Sequence, residues 1–68
     1  MIEISRSQLT ELIDEWILNE KHRKVLYRRL IDGVTYEKLA DEFNMSVRQI
    51  KNIVYKGENV IFRHFQGG

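Results

Sequence analysis

A short stretch near the middle of the chain carries side chains suited to hydrogen bonding with the edges of nucleic-acid bases. At 100° per residue from Ile50, five side chains are predicted to point away from the apolar face: Arg48, Lys51, Asn52, Tyr55 and Asn59. Arginine pairs bidentately with guanine O6 and N7, and glutamine or asparagine pairs with adenine in the same manner. Arg48, Gln49 and Asn52 are therefore candidates for base contacts, and the alternative is an ordinary solvated helix face.

Other side chains around this stretch suit the sugar-phosphate backbone of a nucleic acid. Lys51 and Lys56 are better placed for phosphates, whereas Val47 suits a thymine methyl group. Thr35 and Tyr36 could hold a phosphate through backbone N–H and hydroxyl groups. The predicted DNA-contacting residues are Thr35, Tyr36, Ser46, Val47, Arg48, Gln49, Lys51, Asn52, Tyr55, Lys56 and Arg28.

Two short helices joined by a tight turn are predicted to position these side chains. Thr35 is suited to cap the first helix, and Ser46 with Gln49 forms a capping box at the start of the second. Asn44 lies where the chain must turn, and asparagine tolerates the positive φ expected there. Ala40 lies where the two helices must cross closely. Apolar side chains at helical spacing supply the inner faces: Leu39, Phe43, Ile50, Ile53 and Val54.

At these residues the chain resembles the sigma-factor domain that reads the upstream promoter element, and related small bacterial and phage regulators. The resemblance rests on the run Gly33-Val-Thr-Tyr-Glu-Lys-Leu-Ala-Asp-Glu-Phe-Asn-Met-Ser-Val-Arg-Gln-Ile-Lys-Asn and on the helix that precedes it. It covers residues 20–65, and Asn44 replaces the family's common glycine. It implies a helix-turn-helix that binds DNA with the surface named above, and that also docks on RNA polymerase. Nothing in the chain corresponds to the other sigma-factor domains.

An amphipathic helix is predicted near the N-terminus, capped by Ser5 or Ser7. Its apolar stripe is Leu9, Leu12, Ile13, Trp16 and Ile17, and its opposite side is acidic. One interpretation is that this helix covers the core of the helix-turn-helix. The other is a partner surface, either a homodimer seam or a contact with a larger protein, with Trp16 as its anchor. The predicted partner residues are Leu12, Trp16 and Phe62.

The remaining elements are a basic second helix and the end of the chain. The second helix is predicted from a cap at Asn19 to about Asp32, with Gly33 in a left-handed stop. Its basic side chains either contact phosphates, with Arg28 and Arg29 as the candidates, or only keep the surface soluble. Its inward residues are Val25, Leu26, Leu30 and Tyr27. Gly57 could end the last helix, but the apolar phase continues past it. We therefore predict one long helix over 47–64, with Gly57 at a close helix contact and as the point of any bend.

Length and composition limit the remaining functions. Sixty-eight residues without cysteine allow one small domain with no disulfide or thiolate metal site. Residues 1–20 hold one basic and five acidic side chains, whereas residues 21–68 hold ten basic and five acidic ones, which favours a polyanion partner for the second part. No apolar run could cross a membrane and no secretory signal is present, which predicts a cytoplasmic protein. No catalytic, cofactor or metal-binding pattern is found.

Taken together, the sequence predicts an all-α bundle of about four helices with a central helix-turn-helix. The domain is expected to span 1–68, with an acidic helix in 1–19 and the DNA-binding core in 20–65. The leading function is binding of double-stranded DNA in transcription regulation. The alternatives are a module that binds RNA polymerase or another regulator protein, or the DNA-docking part of a phage recombination or packaging system. An enzyme is the least supported class.

Overall fold

The computed structural model describes residues 4–66 of the chain, which form four helices. Helix α1 spans Arg6–Trp16 and α2 spans Glu20–Leu26, which continues as a π-helical turn over Tyr27–Ile31. Helix α3 spans Tyr36–Phe43 and α4 spans Val47–Gln66. No strand occurs in residues 4–66, so the prediction of an all-α bundle is confirmed.

The helix starts follow from short polar side chains that accept orphan backbone N–H groups. Of the two serines considered, Ser5 caps α1, and it exchanges hydrogen bonds of 3.0 and 3.1 Å with Gln8 in a capping box. Asn19 accepts the N–H of His22 at 3.1 Å and so starts α2. The predicted cap at Asn19 is confirmed.

The second helix ends in a way that the sequence did not predict. The N–H of Asp32 donates to the carbonyl of Tyr27 at 3.2 Å, five residues back, which marks the wider π-helical turn. Gly33 then adopts φ 72°, the left-handed conformation expected for it. The extra residue in this turn changes the direction in which Arg28 and Arg29 project relative to a regular α-helix.

The hydrophobic core lies around the middle of α4, which packs against each of the other helices. Its buried members are Ile13, Ile17, Val25, Leu26, Leu39, Ile50, Ile53, Val54 and Ile61. The predicted apolar stripe of α1 faces the core, but its residues are buried to different extents. Leu9 and Leu12 are half-buried, and Trp16 is 41% exposed. Tyr27 and Leu30 of the second helix are likewise only half-buried.

Helix α4 is continuous through Gly57, as the periodicity predicted. Gly57 is buried, and a β-carbon added there would lie 2.6 Å from both δ-carbons of Leu26. The missing side chain therefore allows α4 to approach α2 closely. Within residues 4–66, no helix has the combination of length and apolar character required to cross a membrane.

Candidate nucleic-acid interface

The turn between α3 and α4 has the conformation predicted for a helix-turn-helix. Asn44 adopts φ 55° and ψ 49°, and its N–H donates to the carbonyls of Ala40 and Asp41. The N–H of Ser46 donates to Oε1 of Gln49 at 2.9 Å, and the N–H of Gln49 donates to Oγ of Ser46 at 3.1 Å. The predicted capping box is present, and it fixes the first turn of α4.

This capping box restricts what Gln49 can do. Its carboxamide oxygen already accepts the Ser46 N–H, so pairing with adenine through both the oxygen and the NH₂ group would require the cap to open. The Ser46 hydroxyl is likewise engaged by the Gln49 N–H. The side chains of Ser46 and Gln49 are therefore engaged in stabilising the first turn of α4.

The outer face of α4 carries the polar residues that the periodicity assigned to it. All five of these residues are exposed: Arg48, Lys51, Asn52, Tyr55 and Asn59. Lys56 is also exposed, and Val47 is half-buried. Ile50, Ile53 and Val54 face the core on the opposite side. The exposure of this face was predicted correctly. Contact with DNA remains a prediction for every residue on it.

The start of α3 lies beside this face. Oγ1 of Thr35 accepts the N–H of Lys38 at 3.3 Å, which is the predicted cap. The half-buried ring of Tyr36 is approached by two cations: the guanidinium carbon of Arg29 lies 4.2 Å from the ring centroid, and Nζ of Lys51 lies 5.6 Å from it. The first turn of α3 and the outer face of α4 therefore meet around one aromatic ring.

Arg28 and Arg29, adjacent in the sequence, have different surroundings. Nε and Nη2 of Arg28 donate to the two carboxylate oxygens of Glu42 at 2.9 and 2.8 Å, and Nη1 donates to Asp32 at 3.1 Å. The hydrogen bonds from Arg28 lower the pKa of Glu42, and the two carboxylates raise the pKa of Arg28. Arg28 therefore joins the π-helical turn to the end of α3, whereas Arg29 faces Tyr36.

The three predicted partner residues have different surroundings. The Trp16 ring stacks on His64, with centroids 3.5 Å apart and planes at 3°, and Leu12 is half-buried. Phe62 is 51% exposed and lines a cleft together with Ile4 and Leu9. Since Phe62 and His64 are two residues apart in a helix, they project about 200° apart around α4.

In the described part of the chain, no three His, Cys, Asp or Glu side chains are grouped so that they could hold a metal ion. The outer face of α4 presents hydrogen-bonding groups and positive charge on one helix whose start is fixed by a turn and a cap.

The comparison with protein families decides what this arrangement is. The model of the family described as sigma-70, region 4, matches residues 17–57, which is more than half of the chain. The chain belongs to the sigma-70 region 4 family. Domains of this family bind DNA and interact with RNA polymerase. No curated protein and no solved structure shows a significant match.

The family match covers only part of the helical bundle. The matched residues include α2, the π-helical turn, α3 and α4 as far as Gly57. Helix α1 and residues 58–66 of α4 lie outside the match, and Ile13 and Ile61 contribute to the core from these segments. The DNA-binding helix-turn-helix thus lies inside the matched part, and a helical addition packs against it.

Proposed function

We propose that this region 4 domain is a regulator of transcription in the cytoplasm of a bacterium or a phage-infected cell. In this proposal, the start of α4 enters the major groove of double-stranded DNA and selects a short sequence. The observation that carries the proposal is the outer face of the first turns of α4. Arg48, Lys51 and Asn52 are exposed there, directly after a left-handed turn and a capping box that hold the helix start in place.

The mechanism divides the outer face by chemistry. Arg48 pairs with guanine and Asn52 with adenine, because both present two hydrogen-bonding groups to a base edge. Lys51 and Lys56 contact phosphates and release counterions, which supplies affinity that is independent of sequence. Thr35 and Tyr36 lie at the start of α3, where backbone N–H groups have no intrahelical acceptor and suit a phosphate oxygen.

Binding of the purified protein to a randomised duplex pool, followed by titration of the selected site and a scrambled duplex, tests this proposal. We expect Arg48→Ala to lose about 1–3 kcal/mol on the selected site and to relax its specificity. Lys56→Ala should weaken binding to both duplexes equally, because a phosphate contact carries no sequence information. If no sequence is enriched, or if Arg48→Ala binds both duplexes as the wild type does, α4 does not read bases as proposed.

One domain of this size offers little contact area, so we expect a single copy to bind DNA weakly. Tethering to a second DNA-bound copy or to a larger assembly would raise the effective affinity without new base contacts. A surface that binds a second copy or a larger assembly would therefore support DNA binding.

The second candidate function is contact with protein, and exposed apolar side chains favour it. Trp16, Leu18 and Phe62 are 41%, 86% and 51% exposed. Trp16 and Leu18 line one cleft with Asn52 and Lys56 of α4. Anchors of this type suit RNA polymerase, another regulator or a second copy of the chain. If Trp16 anchors a homodimer, Trp16→Ala should shift the sedimenting mass towards the monomer. A wild-type protein that is monomeric at high concentration would exclude the homodimer.

A further inference from the structure

A cleft lies between the α1–α2 connection and the middle of α4. Its volume is about 250 Å³, just below the range of about 300–1,000 Å³ that is typical of sites for drug-sized ligands. Leu26, Ile53 and Gly57 are buried and form its inner wall, whereas Leu18 and Lys56 are exposed and lie towards its mouth. The cleft therefore has room for one aromatic ring with a short side chain.

Two contacts hold the walls of this cleft in place. The Trp16 ring stacks on His64 with centroids 3.5 Å apart, which fixes its orientation while the ring stays 41% exposed. Nη1 of Arg23 donates to the carbonyls of Ile17 and Leu18 at 3.0 and 3.4 Å, which fixes the connection between α1 and α2. A cleft whose walls are already ordered avoids the entropy cost of ordering them when a ligand binds.

The polar groups of the cleft are cationic or neutral. Among residues 4–66, no Asp or Glu lines it. Lys56 is exposed and forms no ion pair with a carboxylate in this part of the chain. Asn52 adds a carboxamide, and Oδ1 of Asn19 accepts the N–H of His22, so Asn19 has its NH₂ group left to donate. An anionic group at the mouth and an apolar body inside would complement this lining.

We propose that the cleft binds a small aromatic carboxylate, with the ring against Trp16 and the carboxylate at Lys56, and that the bound ligand blocks the binding of DNA. The blocking rests on the proposed function, in which Asn52 contacts a base and Lys56 a phosphate. The ligand site does not rest on it. Trp16 and Val60 line the cleft from outside residues 17–57, so the site is completed by the helical addition and not by the matched family segment alone.

Titration with sodium phenylacetate, phenylacetamide and sodium acetate tests the site, because these probes supply ring and carboxylate, ring alone, and carboxylate alone. Trp16 is the one tryptophan of the chain, so its fluorescence reports on the cleft, and NMR of the backbone amides locates the probe. We expect saturable binding of phenylacetate with shifts centred on Leu18, Asn52 and Gly57. Phenylacetamide should bind about tenfold more weakly, because it lacks the charge that Lys56 attracts. Acetate should act only as added salt.

Matched variants locate the two ends of the ligand. Lys56→Gln should lower the affinity for phenylacetate to about that for phenylacetamide, whereas Lys38→Gln should keep the wild-type affinity, since Lys38 is exposed on α3 and does not line the cleft. Val60 is half-buried in the lining, so Val60→Phe should fill the cleft and abolish binding of both ring-containing probes. Leu18 is 86% exposed, so Leu18→Ala gives a variant that should fold normally and bind both more weakly. Thermal melting of each variant shows that it is folded.

The effect on DNA is measured by fluorescence anisotropy with the selected duplex. Phenylacetate at about ten times its dissociation constant should lower the apparent affinity for DNA about tenfold, as expected for competition. Sodium acetate at the same concentration supplies the same salt and so corrects for the salt dependence of DNA binding. Val60→Phe should bind the duplex as the wild type does, and phenylacetate should no longer weaken that binding.

The outcomes separate the ligand site from the proposed function. If phenylacetate gives no saturable change at up to about 10 mM, ten times a dissociation constant of about 1 mM, the ligand site is wrong, and selection of a DNA sequence by Arg48 is unaffected. If phenylacetamide binds as tightly as phenylacetate, the cleft takes an uncharged group, such as a side chain of a protein partner, and the carboxylate is wrong. If phenylacetate binds but leaves the affinity for DNA unchanged, the blocking is wrong. If the wild-type protein binds no duplex, the proposed function and the blocking both fail, and the probe titrations alone decide the ligand site.

Discussion

Replacing Gly57 by alanine tests the close approach of α4 to α2. The added β-carbon would lie 2.6 Å from both δ-carbons and 3.1 Å from Cγ of Leu26. Leu26 is completely buried, so its methyl groups cannot swing into solvent. Overpacking of this kind costs about 1–3 kcal/mol. Alanine also gains about 1 kcal/mol of helix propensity over glycine, which opposes the overpacking.

The net expectation is a loss of about 1 kcal/mol of unfolding free energy, or a fall of roughly 4–8 °C in Tm for a domain of this size. Thermal and urea denaturation followed by circular dichroism measure this change.

A double-mutant cycle with Leu26→Ala isolates the contact. Leu26→Ala itself removes a buried side chain and costs about 2–5 kcal/mol, so the cycle is measured in a stabilising osmolyte. In that background the clash is absent, and Gly57→Ala should become stabilising. A rise in Tm on Gly57→Ala in the wild-type background would refute the reasoning, because it would show that helix propensity outweighs the contact with Leu26.

Two further predictions concern the ends of α3. Arg28 lowers the pKa of Glu42 from its ordinary value of 4.5, so their ion pair stabilises the fold above that pH and this contribution is lost as the pH falls through the lowered pKa. The Tm difference between wild type and Glu42→Gln should therefore be largest near neutrality and disappear in strong acid, and a difference independent of pH would contradict the pairing. Asn44→Ala should lower the free energy of unfolding by about 1–2 kcal/mol, because Asn44 has φ 55°, a conformation that alanine disfavours. Asn44→Gly should cause no such loss. Equal losses in the two variants would show that the asparagine side chain matters rather than the backbone conformation.

The features predicted correctly from the sequence depend on residues that are close together in the chain. The Ser46–Gln49 capping box spans three positions, and the positive φ of Asn44 follows from a turn of three residues. The continuity of α4 through Gly57 could be predicted because Ile50, Ile53 and Ile61 keep the same helical spacing on both sides of that glycine. Backbone preferences and helical periodicity act locally, so a single sequence is enough to show them.

The features that were not predicted depend on contacts between distant segments. Arg28 and Arg29 have the same chemistry and adjacent positions, so only the π-helical turn and the packing of α3 decide that Arg28 binds Glu42 and Arg29 faces Tyr36. For the same reason, helical spacing predicted the side of α1 on which Trp16 lies but not its exposure or its stacking on His64.

Helix α4 joins the predicted base-reading residues at its start to the part of the core that Ile61 and α1 complete. Ile61 anchors it near α1, thirteen residues beyond Arg48, which is about 20 Å along the helix axis. A tilt of about 5° around that anchor would move Arg48 by about 1.7 Å, which is enough to break a hydrogen bond to a base edge. In the proposed function, a force applied to α1 would therefore change the position of Arg48 at the start of α4, although α1 itself is far from the proposed DNA contacts.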